Sequence, residues 1–274
     1  MQRGTFLLLL TVLLGGCAAP LKQLSEEAQL TSRDVQVLAT TPFPLQAVLP
    51  RRIEGSSLRV YLEGDGYAWA TPSQPSLDPT PRDLLVARLA SLDPQGAVYL
   101  ARPCQFVSHA DCKPLLWTDQ RFSRPVIDSL HSALQQLKQR YGVRRLELVG
   151  YSGGGALALL LAAERSDVAA VQTLAGNLHP QAWIAHHRLS PLTGSLEPLI
   201  YAERLRKVPQ RHLTGQRDQV VPPLLARAYA EQLGAADSDC LQIQTVDATH
   251  SEGWETAWAS FRQRPLACAP AQKP

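Results

Sequence analysis

The chain has 274 residues, of which 45% are hydrophobic and 19% charged, with a formal net charge of +3. So small and dispersed a charge argues against a nucleic-acid surface, and the length suits one sizeable core. Five cysteines occur with no C-x-x-C pair among them, which gives a zinc site little support.

The N-terminal residues read as an export signal. Arg3 supplies the positive start, and the apolar run Phe6 to Leu14 is too short for a permanent membrane span. It ends in Leu14-Gly15-Gly16-Cys17, which resembles the lipobox of bacterial lipoproteins. That resemblance implies a signal peptide over 1–16, cleavage before Cys17, and lipid of the palmitate type on the new terminus. With Ala18 rather than aspartate next, it implies a lipid-anchored protein of the bacterial cell envelope, the outer membrane favoured, its domain facing periplasm or surface. The alternative is an ordinary signal peptide that happens to contain a cysteine. Residues 17–33 are polar and mixed in charge and read as a tether with room for one helical turn, leaving 34–274 as the folded domain.

Val35 to Leu38 and Leu45 to Leu49 can form an opening antiparallel pair, and Leu58 to Leu62 a further strand ending in the turn Glu63-Gly64-Asp65-Gly66. Four prolines between Thr71 and Pro81 predict loop. Apolar spacing predicts a helix from Arg82 to Leu92, then a strand over Ala97 to Ala101. Ser123 is placed to cap a helix over Arg124 to Tyr141, whose stripe is Val126, Ile127, Leu130, Leu134 and Leu137, with Gly142 as the stop. Strands are expected at Leu146 to Val149, Val168 to Leu174, Arg211 to Thr214 and Leu241 to Val246. Helices are expected from Ala156 to Glu164, from Pro223 to Leu233, and from near Ser251. Alternating strands and helices predict an α/β fold: a mostly parallel twisted sheet with helices on both faces, and a short cap over 177–207. In such a sheet ligands bind beyond the carboxyl ends of the strands.

Three of those strand ends carry reactive residues. Gly150-Tyr151-Ser152-Gly153-Gly154 is a G-x-S-x-G turn between an apolar strand and an apolar helix, the layout of a nucleophile elbow. Such a turn holds the serine hydroxyl out on a sharp bend and aims helix N–H groups at the site. Asp218 follows the strand Arg211 to Thr214, and His250 follows the strand ending at Val246. A serine hydroxyl needs a base to take its proton, and the base needs an acid to hold its tautomer. Asp218 also reads as an ordinary turn residue and His250 as a loop histidine.

With the order Ser152, Asp218, His250, the stretch from Leu58 to Phe261 resembles the α/β-hydrolase superfamily. The resemblance implies a serine hydrolase with catalytic Ser152, Asp218 and His250, acting on a small-molecule acyl substrate through an acyl-enzyme, with no metal or organic cofactor. An ester is the default substrate, and thioester or amide cleavage, acyl transfer and peptidase action stay open. It implies oxyanion donors at the Gly153 amide and at Asp65, with Gly66 the neighbouring possibility. Glu63 stands where many relatives carry histidine, an unfavourable neighbour for an oxyanion unless it turns away or meets a cation. Asn177 occupies the other position for the acid, where it can supply no charge. The alternative function is a catalytically silent binding protein of the envelope, favoured only by Glu63.

Excluding Cys17, an even count of cysteines in an exported chain predicts two disulfides. Of three pairings, Cys104 with Cys112 and Cys240 with Cys268 are the local ones. In the loop after Ala101, Trp117 and Arg121 either form a pocket wall or pack as core and cap. His179, His186 and His187 share no spacing with a carboxylate that would suggest a metal. Oligomeric state is not legible.

Overall fold

A computed structural model describes residues 19–235 and 240–268. The expected signal over 1–16 and the expected lipid site at Cys17 lie outside the described residues. Among the described residues no helix is long and apolar enough to cross a membrane.

The strands are β1 (Asp34–Leu38), β2 (Leu45–Leu49), β3 (Ser57–Leu62), β4 (Trp69–Thr71), β5 (Gln74–Pro75), β6 (Val98–Leu100), β7 (Arg145–Tyr151), β8 (Val168–Leu174), β9 (Gln210–Gly215) and β10 (Leu241–Val246). The helices are α1 (Ala19–Leu30), α2 (Leu85–Ser91), α3 (Arg124–Tyr141), α4 (Gly153–Glu164), α5 (Pro180–His187), α6 (Ala202–Leu205), α7 (Pro223–Leu233) and α8 (Trp254–Ala259). The main sheet has the order β1-β2-β6-β3-β7-β8-β9-β10. β1 and β2 are antiparallel, as is β2 with β6, and every pairing from β6 to β10 is parallel. The expected α/β architecture is therefore observed.

Side chains alternate across the sheet and feed two cores. Leu58, Val60, Leu62, Leu146 and Leu148 face α3, α4 and α7. Tyr61, Tyr99, Val149, Leu174 and Leu213 face α1, α2 and α8, where Trp254 and Trp258 are fully buried. α4 is apolar around its whole circumference and lies covered on all sides, as such a helix must. α3 ends at Gly142, whose φ of 64° is the left-handed stop.

The structure corrects four local expectations. The segment 17–33, read as a tether, instead contains α1, a 12-residue helix with Leu24 and Ala28 buried against the domain. Buried Arg33 then ties the end of this segment to the carbonyls of Ala97 and Ser91. The proline-rich loop carries the small ribbon β4–β5, whose Pro75 needs no ladder donor in so short an edge pairing. Ser123 takes the N-cap position of α3, but its hydroxyl is buried with no partner, so it does not cap through its side chain. The last helix starts at Trp254, beyond Gly253, rather than near Ser251.

Both expected disulfides are formed, Cys104 with Cys112 and Cys240 with Cys268. The segment 177–207, expected as a cap, contains α5, a 3-10 turn over Pro198–Tyr201, and α6.

Candidate active site

β7 runs into α4 with no room for a relaxed turn. Ser152 is held at φ 51° and ψ −121°, a conformation that side-chain-bearing residues adopt only under constraint. The constraint is visible at its glycine neighbours. A Cβ on Gly150 would lie 2.3 Å from the Gly154 carbonyl oxygen, and one on Gly154 would lie 2.4 Å from the Leu62 carbonyl oxygen. The elbow is pinned to β8 by the Ser152 amide on the Leu174 carbonyl (3.1 Å) and the Asn177 amide on the Ser152 carbonyl (2.9 Å).

The structure brings Ser152, His250 and Asp218 together in one hydrogen-bonded line. Ser152 Oγ lies 3.1 Å from His250 Nε2, and His250 Nδ1 lies 2.9 Å from Asp218 Oδ2. Because a carboxylate accepts at Nδ1, that nitrogen carries the proton and Nε2 is free to accept from the serine hydroxyl. The Asp218 side chain is fully buried, and its Oδ1 accepts from the amides of Val220 (2.8 Å) and Val221 (2.9 Å). Those two donors hold the carboxylate in one orientation. Asp247, three residues before His250, pairs with Arg217 at the surface.

Sequence reading missed what holds the histidine. Tyr151, the middle residue before the serine, donates its hydroxyl to the His250 carbonyl at 2.7 Å and lays its ring near the imidazole, centroids 5.4 Å apart. Trp254 donates to the same carbonyl at 2.8 Å. An aromatic next to the serine was the available signal.

On the other side of Ser152 lies the turn after β3. The Gly153 amide, at the first residue of α4, has no partner one helical turn back. Gly153 abuts Asp65 so closely that a Cβ there would lie 2.2 Å from Asp65 Oδ1. The Asp65 carboxylate is gripped by two buried guanidinium groups: Arg102 on Oδ1, and Arg121 on Oδ2 at 2.6 Å. Burial alone would raise this carboxyl; Arg121 and Arg102 overcome that and hold it below its ordinary value. The trio leaves one net positive charge beside the Gly153 amide, favourable for a developing oxyanion.

Glu63 is buried among the residues that line the cavity, with both carboxyl oxygens engaged. Its Oε1 accepts from the Gly64 amide (2.8 Å) and its Oε2 from the Tyr99 hydroxyl (2.9 Å). Burial pushes its carboxyl up to about 7, against the lowering effect of those donors. The loop after β6 completes the frame. Gln105 Nε2 donates to the Gly64 carbonyl (3.0 Å) while its Oε1 accepts from the Arg102 amide (3.0 Å). Trp117 and Arg121, left between wall and core, divide: Trp117 packs in the core and Arg121 lines the cavity.

The cavity over Ser152 has a volume of about 820 Å³ and walls from Tyr67, Trp69, Leu85, Val86, Trp183, Leu189 and Val221. α5 forms one wall and is latched to the acid loop. Trp183 Nε1 (2.7 Å) and His187 Nε2 (2.8 Å) both donate to the Val220 carbonyl. His186 packs on His187, and His179 bonds Glu197 at 3.2 Å, so each cap histidine has a local protein contact.

No known protein-family model matches the chain, and no curated protein matches it in sequence. Solved structures do match its fold. The esterase Pf2001 of Pyrococcus furiosus superposes with a TM-score of 0.59 at 12% identity, covering 85% of this chain and 91% of the esterase. An alpha-beta serine hydrolase homologue from Coxiella burnetii gives 0.53 at 16% identity, covering 84% and 94%. The acylaminoacyl peptidase of Pyrococcus horikoshii gives 0.58 at 12% identity, covering 85% of this chain and 41% of the peptidase. The chain has the α/β-hydrolase fold, with Ser152, Asp218 and His250 beyond the ends of β7, β9 and β10.

Proposed function

We propose that the protein is a serine hydrolase that cleaves an acyl ester, thioester or amide through an acyl-enzyme. The observation that carries this is the line from Ser152 Oγ through His250 to Asp218, set on a constrained elbow. Ser152 Oγ attacks the carbonyl carbon as His250 Nε2 takes its proton. The tetrahedral oxyanion forms at the Gly153 amide and the Asp65 amide, beside the Arg102–Asp65–Arg121 cluster. His250 then returns the proton to the leaving group, whose bond to carbon breaks, and Ser152 stays acylated. Water repeats the sequence in reverse roles and releases the acid. Asp218 keeps the imidazole in the required tautomer throughout. Glu63, the feature that favoured a silent binding protein, has both carboxyl oxygens engaged, by the Gly64 amide and the Tyr99 hydroxyl, which supports the hydrolase reading.

The test is labelling with a fluorophosphonate probe, followed by turnover of p-nitrophenyl esters of rising chain length. Wild type is expected to label and turn over, and Ser152→Ala to lose both, by about a million-fold in kcat. Absence of labelling in the oxidised wild-type protein overturns the proposal. The chain-length series separates ester from lipase-like preference.

We also propose that this domain works in the bacterial envelope, anchored by lipid on Cys17. Two disulfides support an oxidising compartment. Expression in a bacterium with a clickable palmitate analogue is expected to label wild type and not Cys17→Ser; equal labelling of both refutes the anchor.

A further inference from the structure

Asn177 stands apart from the other buried carboxamides. Gln46, Gln105, Gln172 and Gln210 all hydrogen-bond protein groups. Asn177 is 5% exposed, yet its Oδ1 is buried without a partner and its Nδ2 donates to no described residue. Among the described residues the other buried polar side-chain atoms without partners are on Glu27 and Ser123 and do not line the cavity; Asn177 does, with Ser152. Its backbone is tied to the elbow through the Ser152 carbonyl, which anchors the residue next to the nucleophile. It does not serve the histidine, whose Nδ1 is taken by Asp218. A buried carbonyl oxygen without a partner costs about 1–3 kcal/mol, and a turn of the carboxamide toward the cavity lets a bound group supply the missing bond.

We propose, resting on the hydrolase reading above, that Asn177 determines specificity by hydrogen-bonding a hydroxyl or amide group of the substrate close to the scissile carbonyl. The substrate class is then a polar-substituted acyl compound rather than a plain alkanoyl ester. A carboxamide offers one acceptor and two donors and can present either end by a half-turn of its last torsion. It therefore matches a hydroxyl or a secondary amide, each of which both donates and accepts. Tyr67, Trp69, Leu85 and Trp183 supply apolar wall, while the charged Arg82, Asp83 and Arg121 also line the cavity. A site with a polar group to satisfy rejects the analogue lacking its partner more strongly than an apolar pocket discriminates by size.

The experiment compares matched esters in two arms. One places the polar group on the acyl side, p-nitrophenyl N-acetylglycinate against p-nitrophenyl pentanoate. The other places it on the alcohol side, 2,3-dihydroxypropyl butyrate against propyl butyrate, read by acid release. Wild type is expected to prefer the polar member in one arm. Asn177→Ala is expected to lower that polar-to-apolar ratio of kcat/KM by about 10-fold or more. The responding arm says which side of the substrate carries the group. Asn177→Ser, which keeps a hydroxyl, is expected to fall between the two and guards against a folding defect, with thermal melting as the control. A wild type with no polar preference, or an Asn177→Ala variant that loses both members equally, overturns the proposal. Loss of fluorophosphonate labelling in wild type instead marks failure of the hydrolase reading itself.

Discussion

The two sides of Ser152 are built in different ways. On one side, Asp218 and His250 stand beyond neighbouring parallel strands, and backbone topology brings them to the serine. On the other, the Glu63–Gly66 turn is held by side chains from far along the chain: Arg102, Gln105 and Arg121. The first side depends on strand order, which few single substitutions disturb. The second depends on buried charge, where one missing partner leaves the rest uncompensated.

Substitutions should therefore fail differently on the two sides. The largest effect is expected from Asp218→Asn, which keeps the shape and loses the tautomer control: kcat falls about 10,000-fold while thermal stability changes little by comparison. On the opposite side, Asp65→Asn keeps the amide but removes the anion between two buried cations. It is expected to lower kcat about 100-fold and also to destabilise the protein by about 3 kcal/mol, read by denaturant titration. If Asp65→Asn costs activity alone, the two sides are not built differently after all.

Glu63 sharpens the contrast through pH. Its folded value of about 7 lies above its ordinary 4.5, so the folded state binds the proton more tightly than the unfolded chain. Its contribution is fully present below about pH 4.5 and is lost as pH rises through 7. Glu63→Gln is expected to gain on wild type by about 3 kcal/mol between pH 4.5 and 8, followed by melting across that range. A constant difference between the two proteins refutes this. The smallest effect is expected from Cys104→Ser with Cys112→Ser. Opening so short a loop is expected to cost about 2–3 kcal/mol of stability. Melting curves with and without reductant check it.

What was legible in the sequence follows the same division. Ser152, Asp218 and His250 could be singled out because each lies shortly after a segment that reads as a strand, and a strand's end is a place in space. Asp65 could be located by its turn, but its guanidinium partners lie 37 and 56 residues away with no periodicity to join them. The direction of the Glu63 side chain depended on Tyr99, buried on an adjacent strand. α1 was hidden because Leu21, Leu24 and Ala28 form only a thin stripe in a polar segment. The β4–β5 ribbon was hidden by prolines, which argue against strands except at short edges.

One peptide plane joins the cap to the acid. The carbonyl of Val220 receives Trp183 and His187, and the amide at the other end of that plane, on Val221, donates to Asp218. A peptide group is rigid, so a pull on one end is a turn of the other. Bonds accepted at the oxygen also polarise the amide and strengthen its grip on the carboxylate. The cap helix is thereby coupled to Asp218: displacing it from the Val220 carbonyl would also turn the Val221 amide that holds the carboxylate.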